Sequence, residues 1–270
     1  MQVVVFEDAG YRNLLPLTYT RAACELRVGV DTLFDKIRAA SASPPRLLVR
    51  EALSEVVAER RADAVVIPGA ERIYSESLWI NGRLLLQSSI DFPGPTACWA
   101  DETLVAARLP ADTAAKLSAD VMMDPARTRA ALAGVPQAPF SETWGRLIRY
   151  PWDLIAANRN ELVRQITAMP SRRDGRVDAG ATLLKPDAVR IGPGSRIMPA
   201  AVLDAESGPI HIGRDVTISP GAVIRGPCSI GDGCLIHPGA SIREGTTIGP
   251  VCKVGGEIEG TIFQGYANKQ

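Results

Sequence analysis

The sequence predicts an α/β sheet domain followed by a triangular parallel β-helix, and three observations carry that expectation. Ile212, Ile218, Ile224, Ile230, Ile236, Ile242, Ile248 and Val254 fall at every sixth position. The residue four places after each is small or apolar: Val216, Ala222, Cys228, Cys234, Ala240, Thr246, Cys252 and Ile258. Before about residue 170 the pattern is different, with short apolar runs alternating with helical stretches. Neither a helix nor a simple strand repeats at six. One hexad forms one flat side of a prism, and three sides close a coil. Residues one coil apart, such as Ile212, Ile230 and Ile248, then stack along the axis at about the 4.8 Å spacing of paired strands.

The elements come in order along the chain. Val3–Phe6 is a continuous apolar run, as in a strand buried on both faces. Asp31 to Ala40 reads as a helix with Leu33, Phe34 and Ile37 on one face, ended by Ser41-Ala42-Ser43-Pro44-Pro45. Leu47–Val49 is a second strand, Leu53–Arg61 a helix and Ala64–Ile67 a third strand, so a parallel sheet with right-handed crossovers is expected. Asn81-Gly82 between Trp79 and Leu85 reads as a hairpin turn. Leu104–Arg108 is a further strand, and Ala111–Ala119 and Ala126–Ala133 are helices. Pro151, with Asp153 in the first turn, starts a helix running to about Met169, on which Trp152 is expected to pack. Ser171–Gly175 reads as a linker. The solenoid begins weakly at Val177–Leu184, gains phase at Ile191, Ile197 and Leu203, and slips by three residues before Ile212, which a bulged corner at Glu206–Pro209 would absorb.

Composition sets limits. The 270 residues suggest two domains, and 46% hydrophobic with 22% charged residues is ordinary for a soluble globular protein. Thirty basic and thirty acidic residues leave no basic excess for a nucleic-acid partner, although two or three arginines could still hold one small phosphate ligand. No apolar run approaches the roughly 20 residues of a membrane span. Met1–Asp8 lacks the features of a signal peptide, so neither membrane nor export is expected and the default location is cytoplasmic. Cys228, Cys234 and Cys252 occupy the small position of the hexad and read as buried small hydrophobes. A cytosolic setting argues against a disulfide between Cys234 and Cys252, one coil apart, and no CxxC spacing supports zinc.

An α/β domain ahead of a hexapeptide solenoid resembles the GlmU-like family, the bifunctional N-acetylglucosamine-1-phosphate uridylyltransferase/glucosamine-1-phosphate acetyltransferases and their divergent sugar nucleotidyltransferase branch. The stretches that carry the likeness are Leu15-Pro16-Leu17-Thr18-Tyr19-Thr20-Arg21, Leu26-Arg27-Val28-Gly29, Leu78-Trp79-Ile80-Asn81-Gly82-Arg83, Tyr150-Pro151-Trp152-Asp153-Leu154 and Gly255-Gly256-Glu257-Ile258. The resemblance implies a Rossmann-like nucleotidyltransferase-type domain over 1–170, a linker at 171–176, and a left-handed parallel β-helix over 177–270. It also implies that further coils, and the family's catalytic histidine, lie beyond Gln270.

Nucleotidyl transfer needs charge compensation at phosphorus, usually with Mg²⁺. The family's long Gly-rich loop is here Glu7–Leu14, with Gly10 and Arg12, and Pro16-Leu17-Thr18 matches the family's Pro-Leu-Thr after that loop. Thr20-Arg21 or Ala22-Ala23 stands where the family has Pro-Lys, and Asn81-Gly82-Arg83 stands where it carries its metal-holding aspartate. The expected nucleotide and phosphate contacts are therefore Gly10, Arg12, Thr18, Arg21, Arg27, Asn81 and Arg83, with no metal ligand assigned. For acyl transfer from acetyl-CoA the base is generally histidine. This chain offers His237, facing outward at a hexad corner, and more weakly His211. Arg243 matches the family's sugar-phosphate arginine, and Lys253 and Lys269 accompany it.

These readings converge on a transferase acting on sugar 1-phosphates, transferring a nucleotidyl group, an acyl group or both, as a homotrimer. The alternative is a non-catalytic sugar-phosphate- or nucleotide-binding or scaffolding protein with a degenerate first domain. A solenoid carbonic anhydrase needs three histidines on one zinc, and two are present.

Overall fold

A computed structural model describes residues 1–68 and 71–269; Gln270, the last residue of the expected solenoid, lies outside the described residues. Packing divides the chain into two compact units, one of Met1–Leu26 with Thr32–Pro151 and the other of Arg27–Asp31 with Trp152–Gln270. The sequence instead places the division in 171–176.

In the first unit the elements are β1 (Gln2–Phe6), α1 (Leu33–Ala39), β2 (Arg46–Leu48), α2 (Glu51–Arg60), β3 (Val65–Val66), β4 (Ser77–Asn81), β5 (Leu84–Leu86), β6 (Thr96–Ala100), β7 (Thr103–Leu109), β8 (Gln137–Pro139) and β9 (Gly145–Leu147). The main sheet runs β8–β6–β7–β4–β1–β2–β3. β1 lies parallel to both β2 and β4, whereas β7 is antiparallel to β4 and β6. Strand alternation sends Val3 and Val5 to one face, against Phe34, Ile37 and Leu53. Val4 and Phe6 go to the other face, against Trp79, Leu117 and Met122. Both faces of β1 are thereby buried, which is why it reads as an unbroken apolar run.

Three expectations are corrected. Asn81-Gly82 is not a hairpin turn: β5 leaves the main sheet and pairs antiparallel with β9. Gly82 is there for close approach, since its N–H donates to Phe6 O at 2.7 Å and a Cβ would stand 2.9 Å from the Cys24 Cβ. α1 starts at Leu33 because Thr32 and Asp35 form a capping box, in which Thr32 Oγ1 accepts from Asp35 N at 3.1 Å. The helical stretch after β7 is broken into Ala111–Ala114, Ala119–Met122 and Pro125–Ala131, with Ser118 and Asp124 capping the second and third.

The second unit begins with α3 (Pro151–Ala168), started by proline as the sequence indicates. Its Leu162 and Ile166 pack on Val30. Asn158 joins three segments: its Oδ1 accepts from Gly29 N at 2.7 Å and Thr247 Oγ1 at 3.1 Å, and its Nδ2 donates to Gly245 O at 2.8 Å. Trp152, expected to pack, is 64% exposed. The segment read as a linker already lies on the solenoid, with Asp174 N donating to Ile191 O at 2.8 Å.

The solenoid is a left-handed β-helix of three parallel sheets, and successive coils pair in register. Ile212, Ile230 and Ile248 are direct partners, as are Ile218, Ile236 and Val254. All eight aliphatic positions and all eight partner positions are buried. The three-residue slip is present, for Ile191 pairs with Ile212 where later coils pair at eighteen. The sequence reading missed a shortening at the other end, where Ile248 pairs with Phe263, fifteen residues on.

Because Ile230 fills a cross-section between Ile212 and Ile248, truncating it leaves a void that the coil cannot close. Ile230→Ala is expected to cost roughly 2–5 kcal/mol, read as a lower midpoint in chemical denaturation.

Candidate functional site

At the ends of β1 and β4 in the first unit lies a cleft of about 300 Å³, walled by Asp8, Gly10, Asn13, Arg83, Trp99 and Tyr150 among others. Its organising feature is a buried ion pair. Arg83 is 3% exposed, and its Nε and Nη2 donate to the two carboxylate oxygens of Asp8, each at 2.7 Å. Its Nη1 donates to Ile148 O at 3.0 Å. Asn81, fully buried, gives one Nδ2 hydrogen to Asp8 at 2.9 Å and the other to Leu104 O at 2.9 Å. Its Oδ1 accepts from Arg83 N at 2.9 Å. Among the described residues these bonds use three of the five Arg83 N–H groups. Gly10 is required by this packing, because a Cβ there would stand 2.3 Å from the guanidinium carbon of Arg83.

A magnesium ion asks for octahedral oxygen ligands, usually one or two carboxylates with waters and substrate phosphates. The carboxylate at this strand end is Asp8, and both of its oxygens are engaged by Arg83. Among the described residues no group of three or more His, Cys, Asp or Glu side chains could hold a metal. The residues at the strand end do not fit the ion.

The other phosphate candidates are scattered. Arg12 is exposed, with its guanidinium 5.4 Å from the Tyr11 ring centroid. Thr18 is buried and donates to Tyr11 O at 2.8 Å, which closes its own loop. Arg21 is partly buried, and that burial lowers its pKa, with Glu25 opposing and Arg60 adding. Arg27 belongs to the second unit, where its guanidinium donates to Val30 O. The loop is instead pinned by Arg50, which the sequence reading overlooked. Arg50 donates to Glu7 at 2.6 Å and to Thr18 O, and lies 4.2 Å over the Tyr11 ring. Glu7 is 2% exposed, and burial raises its pKa against the pull of Arg50.

The sequence also missed Asp8, Trp99 and Arg149. Trp99 is 8% exposed, and its indole N–H has no partner among the described residues. Arg149 pairs with Asp101 at 2.8 Å and Arg129 with Glu102 at 3.2 Å. An acid two residues beyond the first strand was the available signal for Asp8. Nothing local marks the others, whose grouping depends on how β6, β7 and the short helices pack.

In the second unit His237 is not turned freely to solvent. It lies over Gly255, where a Cβ would meet its ring at 3.4 Å, and its Nε2 is buried without a partner among the described residues. Lys269 Nζ donates to Gly255 O at 2.9 Å. Arg243 pairs with Glu257 at 3.1 Å and Glu259 at 3.0 Å, and Lys253 is exposed. His211 bonds to Ser229 Oγ at 3.0 Å through Nδ1. Burial holds its pKa below the ordinary 6.5, Asp31 and Asp232 oppose, and Arg27 adds to the lowering. Cys228, Cys234 and Cys252 are buried and free, as the hexad position implies.

The family described as sugar nucleotidyl transferase matches residues 3–174, and the six-repeat bacterial transferase hexapeptide family matches residues 209–244. No curated protein matches the chain. Among solved structures, the acetyltransferase domain of PglB from Neisseria gonorrhoeae FA1090 is similar at 21% identity, over 48% of this chain and 85% of that one, with a TM-score of 0.17. The first match spans more than half of the sequence, so the chain belongs to the sugar nucleotidyl transferase family.

Removing one partner of a buried pair strands the other, so Asp8→Ala is expected to destabilise by roughly 3–5 kcal/mol, measured by denaturant unfolding. For His211 the folded pKa lies below the unfolded one, so the unfolded chain takes up the proton first as pH falls. The stability is present above 6.5 and lost below it. A melting series from about pH 7 to about pH 5 should show a decline that His211→Gln reduces.

Proposed function

We propose that this member of the sugar nucleotidyl transferase family binds a sugar phosphate or nucleotide in the cleft at the ends of β1 and β4 without a divalent cation, and that the first unit is a binding module and not a nucleotidyl-transfer centre. The observation that carries the reading is the bidentate Asp8–Arg83 pair, which puts a guanidinium where a metal would otherwise neutralise the ligand. Phe6, Trp99, Leu104 and Met122 offer a wall for a ring, while Asn13, the Trp99 indole N–H and the two remaining Arg83 hydrogens offer polar contacts.

A second reading has one supporting observation. The hexapeptide unit would act as an acyltransferase, and the partnerless Nε2 of His237 is what a base for an attacking amine needs. Acetyl-CoA would supply the acetyl group. A homotrimer fits this reading, with Arg243, Lys253 and Lys269 near the sugar phosphate. The face bearing Thr247 is covered by Gly29 and α3, so association would use the other two faces.

Titration calorimetry with UTP and with glucosamine 1-phosphate, in Mg²⁺ and in EDTA, tests the main reading. Affinities within about twofold of each other, about 0.4 kcal/mol, and no pyrophosphate release are expected. Mg²⁺-dependent pyrophosphate release would refute it. Sedimentation and acetyl-transfer assays with His237→Ala test the second.

A further inference from the structure

The second unit contains a cavity that neither of these readings uses. It holds about 400 Å³ and is lined by Arg172, Asp174, Arg190, His211, Arg214 and Asp232, among others. These residues come from one side of successive coils and its adjoining corner, where Arg190 pairs with His211 in the ladder. Ile191 N donates to Arg172 O at 3.0 Å, Gly192 N to Ile212 O at 2.8 Å, and Gly213 N to Ile230 O at 2.8 Å. The cavity is therefore built on the rigid part of the unit.

Its cations stand out by their lack of partners. Elsewhere on the solenoid Arg176 and Arg196 pair with Asp178, Arg225 with Asp204, and Arg243 with Glu257. Arg172, Arg190 and Arg214 form no ion pair among the described residues. Arg190 is oriented by backbone alone, donating from Nη1 to Asp187 O at 2.7 Å and from Nη2 to Met169 O at 3.2 Å, and its Nε is buried with no partner among the described residues. Two carboxylates share the wall, Asp232, which accepts from Arg214 N at 2.8 Å, and Asp174, which is exposed, so the three guanidinium groups still leave a positive excess. His211 has its Nδ1 engaged by Ser229, which leaves Nε2 for another bond. Arg190 also borders a second cavity, of about 270 Å³, lined by both Lys185 and Asp187.

Three guanidinium groups around one concavity, each without a carboxylate of its own, form a site for an anion with several oxygens. A planar fork matches a phosphate better than any point charge, and a concave wall focuses the field. We propose that this cavity binds a phosphorylated small molecule, with the phosphate on Arg190 and Arg214, Arg172 at the mouth, and the Lys185 cavity beside it taking a second phosphate or the rest of the ligand.

Calorimetry on the full chain at low ionic strength, with inorganic phosphate, pyrophosphate and glucose 1-phosphate as probes, tests it. Saturable binding is expected, tighter for pyrophosphate than for phosphate and weakening as salt is raised. Arg214→Gln sits at an exposed corner and should keep the melting temperature while weakening pyrophosphate about tenfold. Arg190→Gln should do the same or more, and Arg214→Lys should fall between wild type and Arg214→Gln. Arg149→Gln, in the cleft of the first unit, is the control. Binding lost in Arg149→Gln but kept in Arg214→Gln would assign the heat to that cleft and overturn the proposal. Absence of saturable binding with all three probes would overturn it too, whatever the outcome for UTP.

Discussion

Everything in the second unit depends on one constraint: each side of the prism must present one aliphatic residue inward and stack it on its counterpart in the next coil. Ile212 on Ile230 on Ile248 satisfies it three times along one axis. The parallel ladder consumes the backbone hydrogen bonds, and the interior excludes water. The residue four places after each aliphatic one is buried with it, and the outer surface is supplied by the positions between. The arginine corner, the His237 position and the Thr247–Asn158 junction are decorations on that ladder, and their mutual spacing is fixed by it.

The first unit obeys a different rule. Its sheet buries both faces of β1, so chemistry is confined to the strand ends, where backbone turns and polar side chains emerge. There a charge taken out of water needs a partner, and Asp8 and Arg83 supply one another. Asn81 completes the arrangement by saturating what the pair leaves over. This self-neutralised strand end keeps both Asp8 oxygens on Arg83 and so withholds them from a divalent cation. It is also why Gly10, which looks like a phosphate-loop glycine, serves instead to let a guanidinium pass close to the backbone.

Periodic features are legible in the chain itself. The hexad register, the burial of the cysteines, the start of α3 at Pro151 and the parallel strands of the first unit all come from local repetition or local punctuation. The features that escaped are set by long-range packing. Asn81-Gly82 carries a strong turn signal, yet tertiary contact with Phe6 O and Cys24 decides its conformation. Arg12, Arg21 and Arg27 are close in sequence, but Arg12 is exposed beside Tyr11, Arg21 is partly buried, and Arg27 donates to Val30 O. Trp99, Arg149 and Arg50 have no motif to announce them. The Arg172–Arg190–Arg214 group is spread over 43 positions and is assembled only by the coil pitch.

The strand-like strap around Gly29 has a consequence for how the protein is made. Its partner Thr247 lies 218 residues further along the chain. A ribosome releases the strap long before its docking surface. Closing so long a loop is entropically slow, and the strap must wait undocked while the intervening chain is synthesised. The second unit therefore reaches its native state only once Thr247 has emerged, and for much of that interval the apolar Val30 has no Leu162 or Ile166 to cover it.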